Sequence, residues 1–404
     1  MSPRVLLFTG KGGVGKTTAA AATATLAARR GLKTLVVSTD TAHSLADALG
    51  VRPDSADQEV APGLHLHQVD TQATMERHWG ELQDYATNLL VELGLDEITS
   101  EEITVLPGAE EIIALLELRE HAREGRWDVI VVDCAPTAET LRLLALPEAL
   151  EWHMTRLMPV GRKLMRLVSP FVRGVARVST PGEEVMGAGE RLHRGLLEVR
   201  ELLTGDQASV RLVLTPESVV LAEARRTLTS LNLYGYRVDA VIANRVFPAG
   251  GADEWRAQWV AAQSRLLAEA EESFAPLPIH VVPYLPAEPV GKDALAEVGA
   301  ALYGEADPFA APTAAPPLRL AADELTLALP GAERGEVDLA RKGDELIITA
   351  GPYRRILALP SSLARRKISG AVLRDGVLRV RFTSEAKPDE ANVTAHPDAG
   401  PAAT

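Results

Sequence analysis

The stretch Gly10-Lys11-Gly12-Gly13-Val14-Gly15-Lys16-Thr17-Thr18 decides how this chain is read. It has the spacing G-x-x-x-x-G-K-[ST], which builds a phosphate-binding loop between a strand and a helix. Glycine permits the tight curl that turns successive backbone N–H groups toward phosphate oxygens. The helix opening near Gly15 adds the positive end of its dipole. In this pattern Lys16 reaches the β- and γ-phosphates and the Thr17 hydroxyl ligates Mg²⁺, so a nucleoside polyphosphate with Mg²⁺ is the expected ligand. The flanks agree. Residues 5–8, Val-Leu-Leu-Phe, read as a buried parallel strand, and the alanine-rich residues 18–30 read as a helix that stops at Gly31.

A length of 404 residues, 46% of them hydrophobic, suits one large domain and a smaller one. The net charge of −13 argues against a general nucleic-acid surface. Cys134 is the single cysteine, which excludes a disulfide framework within the chain and fits a reducing cytoplasm. The chain begins directly on a strand with no signal-peptide pattern, and no apolar run is long enough to span a bilayer. A cytoplasmic protein is expected.

Lys11 stands beside the first glycine of the loop, where an ordinary phosphate loop needs no lysine. This resembles the deviant-loop ATPases, the class of MinD, ParA, the nitrogenase iron protein and ArsA. The resemblance implies that Lys11 reaches across a dimer interface to the partner's nucleotide. There it would act as an arginine finger does, placing positive charge on the phosphates.

Residues 34–38 read as a second strand and run into Ser38-Thr39-Asp40-Thr41-Ala42-His43-Ser44. This is similar to the switch I segment, S-T-D-P-A-H-S, of the ArsA family and of its eukaryotic relatives that deliver tail-anchored membrane proteins. Thr41 replaces the family proline. The match implies that Asp40 orients the attacking water and lies in the metal's surroundings. A carboxylate at the C-terminal end of a parallel strand does face the ligand crevice, although a helix-cap aspartate is the plain alternative. Residues 128–133 read as another buried strand, and Asp133 at its end fits a Walker-B carboxylate that holds Mg²⁺ directly or through water. Asp133-Cys134-Ala135-Pro136-Thr137-Ala138-Glu139-Thr140-Leu141-Arg142 resembles the family's switch II, D-x-A-P-T-G-H-T-L-R, with Ala138-Glu139 in place of Gly-His. Cys134 is read as an ordinary buried thiol.

Residues 209–215 and 237–243 read as further strands. Asn244, at the end of the second, matches the family asparagine that hydrogen-bonds adenine; a turn residue is the alternative. Residues 280–286, with Pro283 and Tyr284, resemble the loop that packs on the other side of the base. The resemblance covers roughly residues 1–305. One phosphate loop is present where some ArsA proteins carry two in tandem, so Lys11 implies a homodimer.

The expected fold is therefore α/β: a doubly wound parallel P-loop sheet over residues 1–304, with an α-helical client subdomain at about 71–125 and 150–204. Residues 64–69 alternate as a half-buried strand that puts His65 and His67 on one face. Two histidines are too few for a closed metal site without partners, so they are read as polar surface. Residues 71–93 and 108–123 read as helices.

Residues 152–182 contain no Asp or Glu. Met154, Leu157, Met158, Leu164, Met165, Val168 and Phe171 recur there at helical spacing beside Arg162 and Arg166. One reading is a core stripe with a solvated basic edge. The other, implied by the family's client groove after switch II, is an apolar groove with a basic rim. Such a groove fits an amphipathic or acidic-flanked client segment, with anionic lipid as the rival ligand.

Residues 305–317 form a Pro/Ala-rich linker expected to isolate the C-terminal region from the ATPase core. Residues 318–383 switch to short strands and turns, an all-β sandwich pattern that resembles the α-crystallin domain of small heat-shock proteins. Residues 384–404 are polar and Pro/Ala-rich and read as a disordered tail.

The expected function is a dimeric Mg²⁺-ATPase of the ArsA type that captures and releases a hydrophobic or amphipathic protein client. Arsenite handling needs soft thiolate ligands that one cysteine does not supply, and an iron–sulfur cluster needs four. A MinD-like positioning ATPase acting as a membrane-surface or partner-binding scaffold is the alternative.

Overall fold

A computed structural model describes residues 2–39, 44–52, 57–68, 109–134, 183–250, 253–312 and 315–383, with backbone alone at 109–111 and 183–193. Asp40, the Ala138-Glu139 departure, the helix expected at 71–93 and the whole stretch 152–182 lie outside these residues, as does the tail.

Among the described residues, eight strands form one sheet in the order β3-β4-β2-β5-β1-β6-β7-β8. They are β1 (Arg4–Thr9), β2 (Thr34–Ser38), β3 (Gln58–Ala61), β4 (Leu64–Gln68), β5 (Val129–Asp133), β6 (Ala208–Leu214), β7 (Val238–Val246) and β8 (Ile279–Pro283). All pair in parallel except β3, which runs antiparallel on the edge of β4. The apolar runs explain the middle of the sheet: β1, β2, β5 and β6 are buried at every position, as strands covered on both faces must be. The helices that accompany them are α1 (Lys16–Arg29), α2 (Ser44–Leu49), α3 (Ala109–Arg123), α4 (Glu183–Thr204), α5 (Ser218–Tyr234), α6 (Glu254–Phe274) and α7 (Lys292–Tyr303).

Two buried arginines tie the chain after α7 to the sheet. Arg211 on β6 donates to the Tyr303 hydroxyl at 2.8 Å and to the Pro308 carbonyl. Arg4 on β1 donates to the Ala310 carbonyl at 3.1 Å and to Asp239 at 2.9 Å. Burial pulls the Arg4 guanidinium down to about 10 despite the facing Asp239. The first half of the Pro/Ala segment is thus fastened to the ATPase core, and Phe309 packs there under Arg30, whose guanidinium carbon is 5.8 Å from the ring centre.

The C-terminal region is a β-sandwich of two antiparallel sheets, β14-β15-β10-β9 and β11-β12-β13. Its strands are β9 (Leu318–Leu320), β10 (Glu324–Ala328), β11 (Val337–Lys342), β12 (Glu345–Ala350), β13 (Tyr353–Ala358), β14 (Ile368–Arg374) and β15 (Val377–Phe382). Alternating residues point inward: Leu325, Leu327, Leu339, Leu346, Ile348, Leu378 and Val380 are buried. The hairpin between β14 and β15 turns on Asp375 and Gly376, both at positive φ, as a two-residue hairpin loop requires.

This sandwich is not isolated by its linker. Leu233, near the end of α5, is fully buried and belongs to the sandwich core. Thr229 donates to the Pro330 carbonyl at 2.5 Å, the Arg355 guanidinium to the Leu233 carbonyl, and the Tyr353 ring touches both cores. Leu233→Ala is therefore expected to lower stability by about 2–4 kcal/mol. Urea unfolding would read the loss, and faster proteolytic release of the sandwich would show where it falls.

Candidate nucleotide site

β1 ends at Thr9 and delivers the chain into Gly10 at the C-terminal edge of the sheet. In register, Asp133 of β5 lies beside Phe8 on one side and Ser38 on the other. Backbone bonds from Cys134 N to Phe8 O (3.1 Å) and from Thr39 N to Asp133 O (3.0 Å) lock these three strand ends together. The Walker-B candidate, buried to 1% exposure, thus stands beside the loop at the sheet's ligand-facing edge. Thr17, in the first turn of α1, has its hydroxyl 3.4 Å from that of Ser44, the last residue of the switch I stretch. The Lys16 ammonium lies 3.4 Å from the Lys11 carbonyl, folded over the loop and buried.

Two glycines of the loop are required by space. A Cβ on Gly10 would fall 2.1 Å from the Val213 carbonyl oxygen, and one on Gly15, at φ 93°, would fall 2.1 Å from Nδ2 of Asn244. Gly12 and Gly13 have nothing within 4 Å of an added Cβ, so the loop's outer side is open. Val14, between them and Gly15, is buried. An open glycine turn at a helix N-terminus, a buried lysine, a hydroxyl and a buried carboxylate make a donor set that fits a nucleotide triphosphate and Mg²⁺. Lys16 and the loop amides, Thr18 included, would hold the phosphates, and Thr17 and Asp133 would hold the metal directly or through water. Mg²⁺ bound there would supply charge neutralisation of the phosphates.

Asn244 has a further role that its sequence match does not reveal. Its Nδ2 donates to the Val14 carbonyl at 2.8 Å and its Oδ1 accepts from Arg245 N at 2.9 Å. One amide hydrogen and one lone pair remain for a base. Arg245, at φ 58°, donates to the Gly13 carbonyl at 3.0 Å. Sequence reasoning missed Arg245; adjacency to Asn244 was the only signal. Pro283 pairs with Val246, and Tyr284 N donates to the Val246 carbonyl at 2.7 Å, so the two expected adenine-pocket segments do meet at neighbouring strand ends. The exposed Tyr284 ring stacks on Phe247 with centres 5.0 Å apart.

Lys11 points away from its own loop. Its ammonium is 3.7 Å from the carboxylate of Glu223 on α5, and the two side chains are 39% and 31% exposed. No spacing rule in the sequence links these residues.

Cys134 is a buried thiol as expected, with Sγ 3.9 Å from the Val132 carbonyl; burial, and then Asp133, push its pKa up to about 12. The histidines, in contrast, are not polar surface. His65 packs against Trp127, ring centres 4.9 Å apart, and His67 is a mostly buried ring between two carboxylates.

A strand, a two-lysine glycine loop and a buried aspartate on the neighbouring parallel strand define a P-loop ATPase of the deviant-loop class. A family model described as anion-transporting ATPase matches residues 3–304, and one described as the HSP20-like domain found in ArsA matches residues 321–382. A Chlorobaculum tepidum protein, provisionally named an arsenical pump-driving ATPase, is 34% identical over 95% of this chain and 96% of its own length. A Streptomyces coelicolor protein is 40% identical over 95% of this chain and 98% of its own. An Aquifex aeolicus protein with the same provisional name as the first is 33% identical over 89% and 95%. The chain belongs to the ArsA family of ATPases.

Gly15→Ala should abolish nucleotide binding, because it meets both a positive φ and the Asn244 amide; titration with a fluorescent ATP analogue would show no saturable signal. The thiol of Cys134 should resist a disulfide reagent at mildly alkaline pH in the native protein and react at once after unfolding. The thiolate forms only as pH nears the raised pKa, so native reactivity should climb there and not near the ordinary thiol range.

Proposed function

We propose that this chain is a dimeric, Mg²⁺-dependent ATPase that couples ATP binding and hydrolysis to capture and release of a hydrophobic or amphipathic protein client. The carrying observation is Lys11. Its ammonium leaves its own loop for Glu223 while remaining partly open to solvent. A lysine so placed can exchange one carboxylate for the phosphates of a second copy, adding charge where the transition state needs it. Lys16 serves the chain's own phosphates, Thr17 and Asp133 the metal, and Asp40 the attacking water.

The names of the relatives point to arsenicals, but two features favour a protein client. Arsenite calls for thiolates, and this chain's one thiol is buried and held protonated. The appended sandwich matches an HSP20-like domain, a kind of module suited to client handling. The apolar, basic-rimmed stretch 152–182 is the proposed groove, with an amphipathic, acidic-flanked segment as its occupant. Among the described residues no helix is long and apolar enough to cross a membrane.

Lys16→Ala should lose nucleotide binding. Lys11→Ala should keep it, yet lose ATP-induced dimerisation and turn over about 10³-fold more slowly; wild-type turnover would remove the cross-dimer role. Asp40→Asn should bind ATP and hydrolyse it about 10²-fold or more slowly, read by single-turnover assay. For the groove, fluorescent amphipathic peptides should bind wild type in an ATP-dependent way and bind Met158→Asp and Arg162→Glu/Arg166→Glu weakly. Equal binding to all three places the groove elsewhere, and retention on anionic vesicles in place of peptides favours a membrane surface.

A further inference from the structure

We propose that Asp57, His67 and His121 form a binding site for a zinc-type transition-metal ion, at the joint between the sheet edge and helix α3. The site is separate from the phosphate loop and independent of the proposed client role.

Three elements bring it together. His67 lies on β4, Asp57 immediately precedes the edge strand β3, and His121 lies on α3. One ligand atom from each falls within 4.8 Å of the others. Glu117 lies one turn before His121 on α3, and Glu124 follows immediately after the helix ends at Arg123. Two imidazoles and a carboxylate form the donor set of three-ligand zinc sites, in which a fourth position is left for water or another carboxylate. Glu124, with its carboxylate 3.2 Å from Nδ1 of His121, stands where such a fourth ligand would be drawn from.

The details of each histidine fit a ligand better than a simple polar core residue. His67 has Nε2 2.9 Å from Glu117 and Nδ1 2.8 Å from Asp57. Glu117 accepts the Nε2 hydrogen and Asp57 the Nδ1 hydrogen; an ion that replaced the Nδ1 proton would leave the carboxylate–histidine–metal arrangement that orients an imidazole ligand. His121 is 8% exposed, and its Nδ1, although near Glu124, makes no hydrogen bond. A buried ring nitrogen with no hydrogen bond is unfavourable and marks a missing contact. Its ring meets that of His67 edge-on with centres 4.5 Å apart.

Charge points the same way. Asp57 and Glu117 both face His67 across a largely buried spot, with Arg126 3.5 Å from Asp57 at its outer side. Two carboxylates facing one imidazole call for positive charge at this spot, and a divalent ion among the three ligand atoms supplies it. α3 is joined in turn to α4 through Arg119 and Arg123 on Glu198, at 3.1 and 2.7 Å. A bound ion would fasten this helical pair to the sheet.

The test uses the full chain, metal-stripped and nucleotide-free, with Mg²⁺ in excess to cover the phosphate site. Titration with Co²⁺ should give one equivalent per chain, with the visible bands of a four- or five-coordinate ion, and Zn²⁺ should displace it. Asp57→Asn, His67→Gln and His121→Gln should each remove the bands, and Glu117→Gln should weaken Zn²⁺ about 10-fold. Zn²⁺ should raise the unfolding temperature of wild type and not of His121→Gln. Absence of a stoichiometric Co²⁺ spectrum in wild type overturns the proposal and leaves a polar cluster only. Unchanged Co²⁺ binding in the histidine variants overturns it equally. Should a histidine variant fail to fold, the wild-type spectrum and the Glu117→Gln titration decide.

Discussion

The phosphate loop keeps its shape because the end of β7 presses against it. Asn244 takes the Val14 carbonyl and Arg245 the Gly13 carbonyl, and Gly15 is a glycine because the Asn244 amide occupies the space a side chain would need. A carbonyl oxygen repels an anion, and both of these are taken up by donors from the end of β7. A strand two places along the sheet thus completes a motif that the first strand begins. β7 is itself held by β6 and β8, and Gln263 of α6 donates to the Arg245 carbonyl and accepts from Phe247 N at 3.2 and 2.7 Å. Rigidity at the loop is therefore a property of the whole sheet.

How much of this could be read from residues alone depends on where the information lies. The buried parallel strands announce themselves as unbroken apolar runs, and the loop as a spacing of glycines, lysine and threonine. Asp133 is legible because a strand's end is legible and its register with β1 then places it. The sandwich strands are legible from alternation and turn residues. What could not be read are meetings between elements that carry no shared pattern. Glu223 under Lys11, Arg245 at an unusual φ, Leu233 inside the sandwich and His121 over His67 each depend on which helix lies over which strand. The histidines show the limit well. Their alternation placed them on one face, but whether that face meets water or helix α3 is decided by packing.

The Pro/Ala segment shows how composition alone can mislead. Its residues suggest a tether, yet half of it is fastened by side chains that come from the sheet. Arg4 and Arg211 are buried, and each needs acceptors that apolar neighbours cannot supply. The carbonyls of Pro308 and Ala310 provide them. A segment that looks free by its own sequence is held by the needs of two arginines elsewhere.

Helix α5 joins the two halves of the molecule more directly than that segment does. Glu223 sits toward its first turns against Lys11, and Leu233 toward its last within the sandwich core. About 15 Å of α-helix separates them, and a helix of this length behaves as a stiff rod. The carboxylate that pairs with Lys11 and a side chain of the sandwich core are thus carried on one stiff element, which reaches from the interior of the appended domain to the rim of the phosphate loop.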